Sequence, residues 1–417
     1  MGSITRQNGS VRRTFILLAV AVSGIGTSAR ASDFAWNTSA ANQSWSVGGN
    51  WSPSGPPTSA DNVVTPLLFG ALAVNVATPQ VANWTYNSTS NWTVLGNAGS
   101  GGTSLTITGN LTKSGSGTLT IRSGGSGLLS LTAANVALSS GILSLGGAIS
   151  TTSLSNLTIG SAAVSGGEMQ LTVATTSGTA TITGSLDVSG SGIVSVRTDS
   201  SAGRSGTLEV GSLTSASSTA VIRVNGNSST ADSGMLSLKN TSGTATYAGT
   251  IINGGTAANV MSITKSGAGT QILSGNNMYS GGTTITGGTI VVTSTGKLGS
   301  GNVTVGTGLA SSVLELSTSS AIANSATLTI DATNAQMILD NGINEIVGTL
   351  ILGGVTYTSG TFGSTASSAQ FKSDTFFSSS TSGIITVPEP SSALLAGVLT
   401  AGSLARKRRH RHSISES

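Results

Sequence analysis

Apolar and polar positions alternate in short pieces along most of this chain. Leu105-Thr106-Ile107, Leu119-Thr120-Ile121, Ile142-Leu143, Leu157-Thr158-Ile159 and Leu171-Thr172-Val173 open the series. Ile193-Val194, Leu208-Glu209-Val210, Val221-Ile222-Arg223-Val224, Met235-Leu236, Ile290-Val291-Val292, Val303-Thr304-Val305, Leu314-Glu315-Leu316, Leu328-Thr329-Ile330 and Leu350-Ile351-Leu352 extend it. Gly, Ser or Asn punctuates the series at intervals of mostly ten to twenty residues. Period-two patterning with turn residues between pieces predicts strands, and the body shows no convincing amphipathic helix. So long and uniform a run favours a solenoid over a sandwich, each coil stacking on its neighbours. Leu, Ile and Val then face inward, Thr and Ser outward, and glycines turn the corners between sheets. One unit is visibly reused: Thr112-Lys113-Ser114-Gly115-Ser116-Gly117-Thr118 recurs as Thr264-Lys265-Ser266-Gly267-Ala268-Gly269-Thr270, identical except at one position.

Composition narrows the chemistry. Of 417 residues 58 are Gly, 8% are charged, 4% are aromatic and none is Cys. Disulfide scaffolds and Cys-ligated zinc are thereby excluded. Mean hydropathy is +0.23, too apolar for a disordered chain. The formal net charge of +4 belongs to the tails. Between residues 32 and 386 nine basic residues face twelve acidic ones, so the body is weakly acidic and nucleic acid is not an expected partner. Both histidines, His410 and His412, lie in the basic C-terminal tail, which leaves the body without imidazole or thiol chemistry. No cofactor is expected, because no phosphate-binding or calcium-binding glycine motif stands out.

The two ends read as addresses. Arg12 and Arg13 precede an apolar run from Phe15 to about Gly26, followed by Ala29-Arg30-Ala31. A positive start, a short apolar core and an A-x-A site predict a signal peptide over residues 1–31, cleaved by signal peptidase after Ala31. Arg12 to Leu17 also resembles a twin-arginine signal, with Val11 where that pattern prefers Ser or Thr. At the other end Pro388-Glu389-Pro390 is followed by apolar residues 393–405 and then by Arg406-Lys407-Arg408-Arg409. This order resembles the PEP-CTERM sorting signal of bacterial exopolysaccharide-associated proteins. The resemblance implies that an exosortase-type enzyme recognises Pro388, Glu389 and Pro390 and removes the tail. Physical chemistry agrees with it: as a helix, 393–405 spans about 20 Å, short of a hydrocarbon core, so insertion in the inner membrane would be transient. The basic cluster would hold the tail on the cytoplasmic side.

After the second copy of the repeated unit come Ile272-Leu273-Ser274-Gly275-Asn276-Asn277-Met278-Tyr279-Ser280-Gly281-Gly282-Thr283-Thr284-Ile285 and then Gly287 to Val292 and Leu298 to Val305. Residues 264–305 resemble the autotransporter-associated β-strand repeat, with Met278 where Thr is usual. The resemblance implies a right-handed parallel β-helix with strands at Thr283 to Ile285 and Thr289 to Val292. A terminal membrane barrel is not expected behind the basic tail.

The chain accordingly divides into residues 1–31, a Trp- and Pro-rich region 32–95, a β-helical body 96–386 and a sorting region 387–417. The fold class is all-β, a parallel β-helix between a signal helix and a sorting helix. All five tryptophans, Trp36, Trp45, Trp51, Trp84 and Trp92, fall in the second region. They read either as a cap over the first coil or, through Trp36, Trp45 and Trp51, as a glycan-stacking surface. The densest charged stretch, Asp187, Arg197, Asp199, Arg204, Glu209 and Arg223, is the one place where a polysaccharide lyase or hydrolase would assemble its groups. The expectation is a non-enzymatic surface or matrix protein, structural or adhesive, in contact with exopolysaccharide.

Overall fold

The computed structural model describes residues 31–389, apart from 38–42, 66–69, 97–101, 125–128, 147–153, 173–176, 198–204, 226–231, 256–257, 294, 308–309 and 332. Residues 1–30 of the expected signal segment and the expected sorting helix in 393–405 lie outside the described residues. Within them the chain is a parallel β-solenoid, and the one helical piece is a single 3₁₀ turn, Gly48–Asn50.

Each coil has three sides. In the coil that begins at Thr103, the strand Thr103–Ser114 supplies the first two, and Thr118–Ser123 supplies the third. Leu105, Leu131, Leu157, Ala180, Leu208 and Leu236 stack in register along the first side. Ile263, Thr283, Val303, Leu328 and Leu350 continue the same column. Every member is at most 1% exposed, so one column of the core runs unbroken through the body. The bend between the first two sides is marked by a register shift in three pairings of neighbouring coils, between Ala133 and Asn135, Ile159 and Ala162, and Ile182 and Ser185.

The second side becomes a separate five-stranded sheet from Thr244–Tyr247 to Ala335–Leu339. The third side is a nine-stranded sheet from Gln43–Ser44 to Thr250–Ile252, extended by the pair Asn276–Asn277 and Lys297–Leu298. Polar stacking follows the same geometry outside. Asn62 donates to Asp33 at 2.8 Å, Asn83 to Asn62 at 2.9 Å and Asn135 to Asn110 at 3.1 Å, one side chain per coil.

Open edges are the hazard of such a stack. Both ends of the long sheet are closed by a strand running the other way. Trp51–Ser52 lies antiparallel against the first strand, Asp33–Trp36, and Val355–Tyr357 folds back antiparallel on the last rung, Thr349–Leu352. Beyond that second hairpin a four-stranded sheet completes the C-terminal end, with Phe362 stacked on Phe371 at 5.0 Å and tilted against Tyr357 at 4.8 Å.

Candidate functional site

The repeated unit is a corner device. Lys113 and Lys265 are both fully buried, and neither has a carboxylate partner among the described residues. The Lys113 ammonium donates to the carbonyls of Ser114 at 2.9 Å, Gly115 at 2.6 Å and Ser140, in the next coil, at 3.0 Å, and lies 5.3 Å over the Tyr86 ring. Lys265 donates to the carbonyls of Gly267 and, across the coil boundary, Gly287. A cation thus satisfies the carbonyls that a tight glycine turn directs inward. The same seven residues serve two corners: Lys113 leads into the third side, Lys265 into the second.

The residues after Lys265 are spent on the frame as well. Asn277 is buried, accepts from the Ile251 amide at 2.8 Å and donates to the Lys297 carbonyl at 2.8 Å, so one side chain ties three coils. The Tyr279 hydroxyl is buried against that of Thr283 at 2.5 Å. Met278 points outward, 62% exposed, which explains how it stands in a position where the repeat usually has Thr.

The charged stretch does not converge. Asp187 lies on the second side and accepts from Thr214 at 3.0 Å, while Glu209 lies on the first side, paired with Lys239 at 2.6 Å. Arg197 and Arg223 sit on the outer face of the nine-stranded sheet, and Asp199 and Arg204 lie outside the described residues. Arg223 pairs with Glu168 at 2.9 Å, and Ser195 donates to the same carboxylate oxygen. These donors and the guanidinium charge outweigh burial and hold the Glu168 carboxyl below its ordinary value. Glu168 opens the strand Glu168–Thr172, three residues before the alternating piece Leu171-Thr172-Val173, and nothing local shows its partner 55 residues away. Glu345, fully buried, accepts the amides of Ala321 at 3.1 Å and Ile322 at 2.8 Å. Burial pushes its carboxyl up, and those amides offset part of the cost. Among the described residues no group of three or more His, Cys, Asp or Glu side chains is placed to hold a metal ion.

The passenger-associated-transport-repeat family model matches residues 111–127, 231–256 and 263–292. Over those stretches the chain is similar to that repeat. No curated protein and no solved structure matches. The passenger-type repeat extends the resemblance seen at 264–305 to two further places, of which the first holds Lys113. The solenoid and these repeats together fit a surface or secreted β-helical protein.

The tryptophans are inside. Trp36, Trp45 and Trp51 are 1%, 2% and 2% exposed, so none presents an indole face on which a sugar ring would stack. All five indoles close a ring, edge-on from Trp36 to Trp51 at 4.8 Å, Trp51 to Trp45 at 5.1 Å and Trp92 to Trp36 at 6.2 Å, and tilted from Trp45 to Trp84 at 6.0 Å and Trp84 to Trp92 at 6.0 Å. Tyr86 stacks on Trp92 and passes the contact to Lys113, joining the aromatic first coils to the aliphatic body.

Of the sorting residues, Pro388 and Glu389 are exposed directly after the last strand, Ile384–Val387; Pro390 and Arg406, Lys407, Arg408 and Arg409 lie outside the described residues. Ala31 is exposed just before the first strand, Asp33–Trp36, and Ala29 lies outside the described residues. No helix among the described residues is long and apolar enough to cross a membrane.

The buried lysines carry a pH signature. Burial pushes both ammonium groups down to about 8, from an ordinary value of 10.5. Between those values the unfolded chain binds protons that the fold has shed, so stability rises with pH across that interval. Tyr247 and Tyr279, pushed up by burial, oppose it only above the ordinary tyrosine value of 10. The urea midpoint is therefore expected to rise between about pH 8 and 9.5, and a Lys113→Met, Lys265→Met double variant to lose that rise. A wild-type midpoint that falls over this interval would refute the linkage.

Proposed function

We propose that this chain is an exported, non-enzymatic protein of the bacterial cell surface or extracellular matrix, structural or adhesive, that works through the rigid outer faces of its solenoid. The observation that carries this reading is the use made of the passenger-type repeat: Lys113, Lys265, Asn277, Tyr279 and Thr283 are all buried in the frame. Side chains that recur in the repeat are thus committed to stacking coils, and what remains for contact is a long hydroxyl-covered surface. Such a surface suits a polymer-bearing environment, because Thr and Ser hydroxyls exchange hydrogen bonds with sugars at little desolvation cost.

The sorting part of the reading rests on the sequence. Signal peptidase cuts after Ala31, and an exosortase-type enzyme acts at Pro388-Glu389-Pro390 and removes the basic tail. Both cuts leave the described strands, from Asp33 to Val387, intact. Intact-mass and peptide mapping of the protein from the envelope and medium of its host tests this. A species that starts at Ser32 and ends between Pro388 and Pro390 is expected. A membrane-bound species that keeps Ala393 to Ser417 overturns the exosortase step. The non-enzymatic part is tested by incubating the protein with extracellular polymer; release of reducing or unsaturated ends, abolished by Asp187→Ala, overturns it.

A further inference from the structure

The outer face of the nine-stranded sheet carries three arginines, and their partners differ. Arg223 is neutralised by Glu168. Among the described residues Arg197 donates only to the neutral Gln170 amide, at 2.7 Å, and its Nε has no hydrogen-bond partner. Arg122 makes neither an ion pair nor a hydrogen bond among the described residues. The register Ile121–Leu145–Leu171, carried one residue on to the pair Thr172–Arg197, places Arg122 and Arg197 in one column, three rungs apart, with Gly146 and the buried Thr172 between them. At the usual strand spacing that separation is about 14 Å along the solenoid axis. Between them lies a groove of about 360 Å³, with Thr120, Ser144 and Gln170 on its floor and Ile142 at its side.

Two guanidinium groups with no counter-charge among the described residues, over a floor of hydroxyl and amide groups, define the ligand they fit. Arginine is always protonated, and its planar fork matches a carboxylate with two parallel hydrogen bonds. Small polar side chains on the floor suit sugar hydroxyls, and Ile142 suits the apolar edge of a sugar ring. The groove has no aromatic residue, so it lacks both the anchor of a protein hot spot and the platform on which unstacked bases bind. We propose that this groove binds an acidic polysaccharide lying along the solenoid axis, with Arg122 and Arg197 each holding one of its carboxylates. The proposal deepens the surface reading above and rests on it for access to such a polymer. The acidic remainder of the body confines the polymer to this strip.

Affinity electrophoresis of the full chain through gels containing polygalacturonate tests the site. Retardation is expected in polygalacturonate and not in neutral dextran, and it should weaken as salt rises. Arg122→Gln and Arg197→Gln should each weaken binding about tenfold, with thermal melting unchanged for Arg122→Gln, whose side chain has no partner among the described residues to lose. Lys372→Gln, which removes a positive charge on the exposed strand Phe371–Lys372 at the far end, should leave binding unchanged. Equal losses in all three variants would mean non-specific charge attraction and overturn the groove. Stronger retardation by dextran sulfate or by polyglutamate than by polygalacturonate overturns the carboxylate-sugar assignment. The two readings fail separately: a chain recovered with host polymer yet indifferent to polygalacturonate loses only the groove, whereas one that binds polygalacturonate but is never exported loses only the surface reading.

Discussion

Gly288→Ala is expected to destabilise the protein by more than about 4 kcal/mol, although it adds a single methyl group. Gly288 has φ +69°, and a Cβ there would meet the carbonyls of Gly267 and Gly269 and the Lys265 ammonium, the last two at 2.5 and 2.7 Å. Two of these are backbone atoms of the preceding coil and the third is a buried cation fixed by its own hydrogen bonds, so none can yield cheaply. Gly141 repeats the arrangement around Lys113, with φ +71° and approaches of 2.5, 2.5 and 2.7 Å to Gly115, Gly117 and the ammonium. Gly354 supplies the control. Its φ is +87°, but a Cβ there meets nothing within 4 Å, so Gly354→Ala should show only the left-handed backbone cost of about 1–2 kcal/mol. Urea melts of the two variants separate the terms. Equal losses would show that the corner relaxes and that the close approach of coils is not what selects glycine.

This corner also shows where sequence reading succeeds and where it stops. Period-two pieces and the near-identical heptapeptides indicate a parallel stack, and Thr283–Ile285 and Gly288–Val292 form the expected strands within a residue. Alternation reports which side chain faces inward and is local, so it survives in a single chain. The role of Lys265 is not local. A lysine in a polar heptapeptide reads as surface charge, and only the carbonyl of Gly287, in the next coil, shows that it points inward. The closing strands are hidden for the same reason. Trp51–Ser52 and Val355–Tyr357 are too short for periodicity, and their antiparallel sense is decided by the edge they cover. The reading of 32–95 as a glycan surface or a cap turned on exposure, a property no pattern of five tryptophans reports.

The charged groups follow the same division. Asp187, Arg197, Glu209 and Arg223 are close in sequence, yet a coil of 20 to 28 residues sends them to three different sides. Arg122 and Arg197, 75 residues apart, share one column because register adds one rung per coil. In a solenoid, neighbours in function are separated by whole coils. A scan for dense charge along the chain therefore selects residues that the winding disperses and passes over those that it aligns.

Removing one indole from the N-terminal ring should produce the other large effect, with a different geography. Trp51→Ala is expected to cost about 3–5 kcal/mol, the usual range for a buried tryptophan. Trp51 is 2% exposed, touches both Trp36 and Trp45, and donates its Nε1 proton to the Trp45 carbonyl at 2.8 Å, so its loss opens the ring on two sides. It also removes the residue paired with Trp36 in the strand that covers the first edge. Coils of a solenoid interact with their nearest neighbours, so the damage should stay local. Hydrogen exchange read by mass spectrometry is expected to show lost protection across residues 33–96, with 263–352 as protected as in the parent chain. The uncovered edge then presents unpaired backbone groups, and concentration-dependent association should accompany the loss. If protection stays intact while binding to neutral glycans disappears, the ring is a recognition surface and not a cap. If protection is lost along the whole chain, coupling between coils reaches further than nearest neighbours and the solenoid melts as one unit.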